Sequence, residues 1–316
     1  MLDRSEAHWR YFPGPRSLGQ AGGSYALCGF EEALPRPIQR LEPASPCIKL
    51  IIGFGAAYRV TPLPEASQSH RSFVVGMGGG PVVSEQAPTH SCIEVELPPW
   101  AAFRLFDGAS DVLSSRLVGL GDIWGSQAAL LSEQLHHAPG WAARFRLIEQ
   151  VLKGRLQSAR REAGAEIRWA WGELARHHGN MPISGLRKMI GWSERHLSSR
   201  FQCQLGMTPK LAARRLRFSQ MRGMLDADAQ EGLTDLALAC GYADQSHMTR
   251  EFRAFAGCSP AAYRREHIPD ALGKPASLLG GPWSYDAAVA AGWSHFFKTG
   301  ASLAPETRNL NDKQKG

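Results

Sequence analysis

Apolar positions change their spacing twice along the chain. Up to about residue 97 they fall in short β-branched runs broken by Gly and Pro, the clearest being Cys47-Ile-Lys-Leu-Ile-Ile-Gly53, Ser72-Phe-Val-Val-Gly-Met77 and Ser91-Cys-Ile-Glu-Val-Glu-Leu97. Runs of this length bounded by turn formers predict strands. The Gly78-Gly79-Gly80-Pro81 stretch lacks the Lys-Ser/Thr ending and spaced glycines of a phosphate-binding loop, and reads as a turn. After Pro98-Pro99 the spacing becomes helical, first through Trp100, Phe103, Leu105 and Phe106. Ser126 is then predicted to cap a helix carrying Leu130, Leu131 and Leu135. From Trp141 to about Leu156, Phe145, Ile148, Val151, Leu152 and Leu156 form one stripe for packing on the chain's own body or on a partner subunit.

Arg160-Arg161-Glu162-Ala163-Gly164 reads as a joint, and everything from there to His267 as helices with tight turns. The expected architecture is multi-domain α+β. Residues 1–98 form a β-rich sensor or dimerisation domain, 99–163 a helical extension and linker, 164–268 an all-α domain with two helix-turn-helix units, and 269–316 a tail, frayed or folded back as a strap.

Within the all-α domain a single plan occurs twice. A short helix from Ile183 to Ile190 meets Gly191-Trp192-Ser193, and a second runs from Glu194 to Leu205. The copy has a short helix from Leu233 to Cys240, a turn at Gly241-Tyr242-Ala243-Asp244, and a second helix from Gln245 to Ala256. Each turn places a Gly where the first helix must end left-handed, then a Ser or Asp able to cap the next. Leu197 and Phe201 in one unit, and Met248 and Phe252 in the other, stand four apart and lock the second helix onto the first. The opposite faces carry Arg195, Ser198, Ser199 and Gln202, and Gln245, Ser246, His247, Thr249 and Arg250. An α-helix fits the major groove, where Arg can bridge a guanine, Gln an adenine, and hydroxyls suit bases or phosphates. Thr208-Pro209 opens a long helix to Leu225, a rod expected to hold the reading helices about one DNA turn (~34 Å) apart. Of its basic residues Lys210, Arg214, Arg215, Arg217 and Arg222, some should face phosphates and others bridge to nearby acids.

Charge sharpens this picture. The net +7 divides into −3 for residues 1–143, +9 for 144–268 and +1 for 269–316, so the basic, helical region is suited to a polyanion. The six cysteines form no Cys-x-x-Cys pair, which argues against a zinc knot or disulfide framework and for buried free thiols. No apolar run is long enough to span a membrane, and the opening MLDRSEAHWR is charged where a secretory signal would be apolar, so a cytoplasmic protein with no membrane partner is expected.

The stretch Asp235-Leu-Ala-Leu-Ala-Cys-Gly-Tyr-Ala-Asp-Gln-Ser-His-Met-Thr-Arg-Glu-Phe-Arg-Ala-Phe-Ala-Gly257, with Cys258-Ser-Pro-Ala-Ala-Tyr-Arg264, closely resembles the second unit of the AraC/XylS-type transcription regulators. Gly191-Trp-Ser-Glu-Arg-His-Leu-Ser-Ser-Arg-Phe201 with Gly206-Met-Thr-Pro209 is similar to their first unit. The resemblance implies DNA contacts from the two outward faces, and a structural role for Gly191, Leu197, Phe201, Pro209, Leu236, Ala237, Gly241, Phe252, Pro260 and Tyr263. Ser199 departs from the long basic or amide side chain common there, which implies weaker base reading by the first helix. Ala212 replaces a frequent aromatic.

Val118-Gly-Leu-Gly-Asp-Ile-Trp-Gly125 and the helices after it resemble, more faintly, the cupin-like domains of such regulators, which sense a small molecule or hold a dimer together. Duplex DNA is therefore the expected partner, with a small-molecule effector, RNA polymerase and a second subunit as further candidates. The sequence leaves activation and repression open, with activator the label the resemblance suggests. A cupin-type metal enzyme or a DNA-repair alkyl acceptor is the rival class. The first would need a His-x-His with following Glu and His, and His70 and His90 are isolated. Neighbours His136-His137 and His177-His178 point about 100° apart on a helix. The second would need an activated thiol, whereas Cys28, Cys47 and Cys92 lie in apolar strand surroundings. Neither cofactor nor metal nor catalysis is expected.

Overall fold

The computed structural model describes residues 8–18, 24–33, 37–226 and 231–266; the predicted tail lies outside them. The N-terminal region is built from two antiparallel sheets. Strands β1 (His8–Leu18), β2 (Ser24–Ala33), β9 (Thr89–Leu97), β4 (Ile48–Gly53), β7 (Ser72–Val75) and β10 (Leu117–Gly119) make the larger, in that order. Strands β3 (Ile38–Glu42), β8 (Val82–Gln86), β5 (Tyr58–Pro62) and β6 (Gln68–His70) make the smaller. The three runs singled out as strands become β4, β7 and β9, and the glycine run becomes the connection between β7 and β8.

Alternation divides the larger sheet into two unlike faces. Leu27, Ile48, Leu50, Ile52, Ile93, Val95 and Leu97 face a layer of helices. Those helices are α1 (Pro99–Leu105), α2 (Ser110–Ser114), α3 (Leu120–Trp124), α4 (Ser126–His137) and α5 (Trp141–Ser158). Gly29 lies so close to the Trp141 ring of α5 that a Cβ there would meet it at 2.0 Å, so only glycine lets this helix seat on β2. Cys28, Phe30, Lys49, Ile51, Cys92 and Glu94 point the other way, into the space between the sheets.

One expectation needs correction. Ser126 does not cap α4: it is the first helical residue, Gly125 holds the cap position at φ 60°, and no side chain supplies a cap hydrogen bond. Leu130 points outward at 54% exposure while Leu131 and Leu135 are buried, because the helix needs only a narrow stripe against the sheet. The stripe on α5 packs within the chain, with Phe145, Ile148, Leu152 and Leu156 buried in the same core as the sheet.

The segment after α5 is irregular, and Asp107 accepts from the backbone N–H groups of Arg160 and Arg161 there. Seven helices follow among the described residues: α6 (Ala165–Arg176), α7 (Ile183–Ile190), α8 (Glu194–Leu205), α9 (Pro209–Asp226), α10 (Leu233–Ala239), α11 (Gln245–Ala256) and α12 (Pro260–Glu266). One apolar core runs from Tyr25 through the β region and its helices into α6–α9 as far as Leu216. A second, smaller core joins Phe218, Met221, Leu236, Met248, Phe252 and Tyr263.

Candidate nucleic-acid interface

Local sequence dictates both helix-turn-helix units. α7 ends at Gly191 with φ 77°, a left-handed turn that costs other residues strain, and Ser193 then accepts from the His196 N–H to start α8. In the second unit Gly241 has φ 75°, and Asp244 accepts from the His247 N–H at 2.7 Å to start α11. Thr208 caps α9 through the Leu211 N–H, with Pro209 at the first helical position. Leu197, Phe201, Met248, Phe252, Leu236 and Ala237 are fully buried, and Tyr263 packs on Phe252 with ring centres 5.3 Å apart. Pro209 and Pro260 are buried as well.

The faces left over are polar. On α8, Arg195, Ser199 and Gln202 are exposed and Ser198 half-buried. On α11, Gln245, Ser246 and Arg250 are exposed, with His247 and Thr249 half-buried. Thr234 donates to the Gln245 amide oxygen at 2.9 Å, which leaves its NH2 as the outward group. His247 turns sideways, its ring 5.5 Å from that of Tyr242 and its Nε2 3.7 Å from Glu251. Arg200 and Arg253 are exposed on the same two helices and were not singled out in the sequence; their basic character is the signal that marks them.

The arginines of α9 serve the protein rather than a polyanion. Arg214 donates to buried Glu251 and Arg217 stands 3.8 Å from it, clamping α11 to the rod. Arg222 is buried. Arg215 is 2% exposed and donates to the backbone oxygens of Ser45 (2.6 Å), Met77 (2.9 Å) and Gly79, all in the β region; burial lowers its pKa to about 10. The bridges to acids predicted for this helix are thus present at Glu251. Lys210 remains outward. With 18 residues, α9 is roughly 27 Å long.

Burial drives the Cys28 thiol well up and that of Cys47 likewise, so both stay protonated and poorly nucleophilic. Cys203 departs from the expectation of buried thiols: it is exposed on α8, because the inward stripe of that helix passes through Phe201, Gln204 and Leu205 instead. His90 is buried against Glu32 (3.9 Å), and the His136 and His137 rings lie 5.2 Å apart. Among the described residues no group of three or more His, Cys, Asp and Glu could hold a metal ion, and no helix is long and apolar enough to cross a membrane.

Capped helix pairs, glycine-closed turns and a connecting rod define a double helix-turn-helix domain. The family model described as a helix-turn-helix domain matches residues 186–266, and this segment is such a domain, of the AraC type that the motifs resemble. The chain is 31% identical over 88 residues to the uncharacterized HTH-type transcriptional regulator YbfI of Bacillus subtilis, covering 28% of this chain and 31% of that one. It is 35% identical over 77 residues to the HTH-type transcriptional activator RhaR of Pectobacterium carotovorum, covering 24% and 27%. The chain thus spans about a third or less of the length of these curated relatives. Among solved structures, ToxT from Vibrio cholerae aligns with 76% of this chain and 98% of its own, at a TM-score of 0.43 and 10% identity.

Proposed function

We propose that this protein is a sequence-specific, DNA-binding transcription regulator rather than an enzyme, in which α8 and α11 each enter a major groove. The observation that carries the reading is the pairing of two reading helices on one rod, each with its apolar side locked into a core and Arg, Gln and hydroxyl side chains outward. The readers are Arg195, Ser198, Ser199 and Gln202 in the first unit and Gln245, Ser246, His247, Thr249 and Arg250 in the second. Arg250 and Gln245 supply the stronger base contacts, since bidentate Arg–guanine and Gln–adenine pairs discriminate best.

In this reading residues 164–268 form the DNA-binding domain, residues 1–98 sense an effector, residues 99–163 link the two, and 269–316 form a tail. A second subunit and RNA polymerase are the protein partners, and the protein works in the cytoplasm. RhaR, by its name, is an activator, and activation is the mode proposed here. The fused architecture lets an effector act, provided it binds one arrangement of the two domains better than the other. Selection of bound sites from a random duplex pool tests the reading: the full chain should enrich a motif spanning about two major grooves, with affinity falling steeply as salt rises. No enrichment over random competitor at moderate ionic strength would refute it.

A further inference from the structure

Between the two sheets lies a cavity of about 130 Å3. Its lining is unlike the core on the other side of the larger sheet. Arg40 of β3 and Ser84 of β8 are cross-strand partners, placed directly opposite each other in the sheet and both on the cavity wall. Ser84 is 7% exposed and the Arg40 side chain 10%. Arg40 spends Nη1 on Glu32 (3.0 Å) and on Gln86, while its Nη2 and the Ser84 hydroxyl find no hydrogen-bond partner among the described residues. Burying two such groups side by side without partners is costly, and a ligand oxygen lying between them would satisfy both.

The rest of the wall says what that oxygen must be attached to. Phe30, Tyr58, Val60 and Phe73 face the same space, with the Tyr58 and Phe73 rings edge to face at 5.6 Å. The formal charges on the lining balance, since Glu32, Glu42 and Glu94 stand against Arg40, Lys49 and Arg215. Arg40 and Lys49 already meet Glu32 and Glu94, and Arg215 is held by three backbone oxygens, so a charged ligand would have to compete with contacts that a neutral one leaves intact. A cavity of about 150 Å3 holds one benzene molecule, which sets the scale of the body.

Resting on the reading of the β region as a sensor, we infer that this cavity is the effector site and that its ligand is a small, neutral, ring-bearing carbonyl compound. The carbonyl oxygen accepts from Arg40 and Ser84, and the ring lies against Phe30, Tyr58 and Phe73. Arg215, reaching from α9, closes the same cavity while it grips three backbone oxygens of the β region. A ligand beside it therefore bears directly on the rod that carries both reading helices.

The test titrates the full chain with benzamide, benzoate and benzylammonium, followed by ligand-observed NMR and thermal denaturation. Benzamide should bind at least tenfold more tightly than either charged analogue, and at ten times its Kd should raise Tm by about 3–6 °C. Ser84→Ala should weaken benzamide about threefold to tenfold. Arg40→Lys, which keeps the charge beside Glu32 but loses the planar fork, should weaken it as well. Equal binding of the charged analogues, undiminished binding to the correctly folded Ser84→Ala variant, or no binding of any probe at millimolar concentration would each overturn the assignment. The duplex selection separates this from the regulator reading: a chain that enriches a DNA motif yet ignores benzamide loses only the cavity assignment, and one that binds benzamide but selects no duplex loses only the regulator.

Discussion

The two helix-turn-helix units share one plan and are held in different ways. The first has no core of its own: Leu186, Leu197, Phe201 and Leu205 belong to the same apolar cluster as Leu27 and Val95 of the large sheet. Helix α8 packs against α1 and α2, and Gly206 approaches Leu113 so closely that a Cβ would meet its carbonyl carbon at 2.5 Å. The second unit keeps a separate core around Phe252 and touches the β region at the end remote from its reading face, where Ala44 donates to the Phe255 oxygen at 2.8 Å and Gly257 packs on Leu41 and Pro81. A duplicated motif is therefore no guarantee of duplicated mechanics. The first unit shares the core of the β region, and the second meets that region through α9 and through its contacts with Leu41, Ala44 and Pro81.

Core truncations should break the comparison most visibly. Phe201→Ala and Phe252→Ala each remove a fully buried ring and should cost roughly 3–5 kcal/mol. In calorimetry Phe201→Ala should lower the transition that includes the β region, whereas Phe252→Ala should lower a separate C-terminal one; identical effects on a single transition would show that the two cores melt as one. Next in size come the proposed base contacts. Arg250→Ala and Gln245→Ala should each weaken binding to a selected duplex by about 1–3 kcal/mol, and Ser199→Ala by less, as measured by titration at fixed salt. Equal losses would remove the proposed asymmetry in base reading.

A pH effect probes how α9 is tied to the β region. Burial raises the pKa of Glu96 from 4.5 to about 7, with Glu94 adding to the rise while Lys49 and Arg222 of α9 oppose it. Folded protein thus holds a proton that unfolded protein has lost between those values. This contribution to stability is complete below about 4.5 and disappears as pH rises through about 7. Glu96→Gln should flatten that stretch of the denaturation profile. The smallest effect concerns the cleft where Ser199 and Gln202 face Ser110, Asp111 and Ser114. Asp111→Asn should raise affinity for random duplex by about twofold, since it removes one exposed negative charge beside the first reading helix.

Much of the C-terminal fold was legible because its signals are local. A glycine that must turn left-handed, a Ser or Asp three residues before the N–H it caps, and apolar pairs four apart all act within one or two turns of chain, so Gly191, Ser193, Gly241 and Asp244 read correctly without a neighbour in view. The fate of each arginine on α9 was not legible in that way. Arg215 looks in sequence like any basic residue on a helix, yet its partners at Ser45, Met77 and Gly79 lie more than a hundred residues away. The cavity was missed for a related reason. The alternation Cys92-Ile-Glu-Val-Glu-Leu97 is that of a strand with one face in water, and Lys49 repeats it on β4.

Chain-local chemistry thus decided where the strands and helices lie, where each unit turns, and that the polar faces of α8 and α11 stay outward. Long-range packing decided that the second sheet covers the charged face of the first, turning what reads as a wet surface into the wall of a cavity. It also decided that the first helix-turn-helix unit merges with the core of the β region, while the second packs around Phe252 and meets that region at Leu41, Ala44 and Pro81. Hydrogen bonds and rotamer preferences within a turn are set by adjacent residues, whereas which surface buries which depends on pairings across the whole chain that no local pattern encodes.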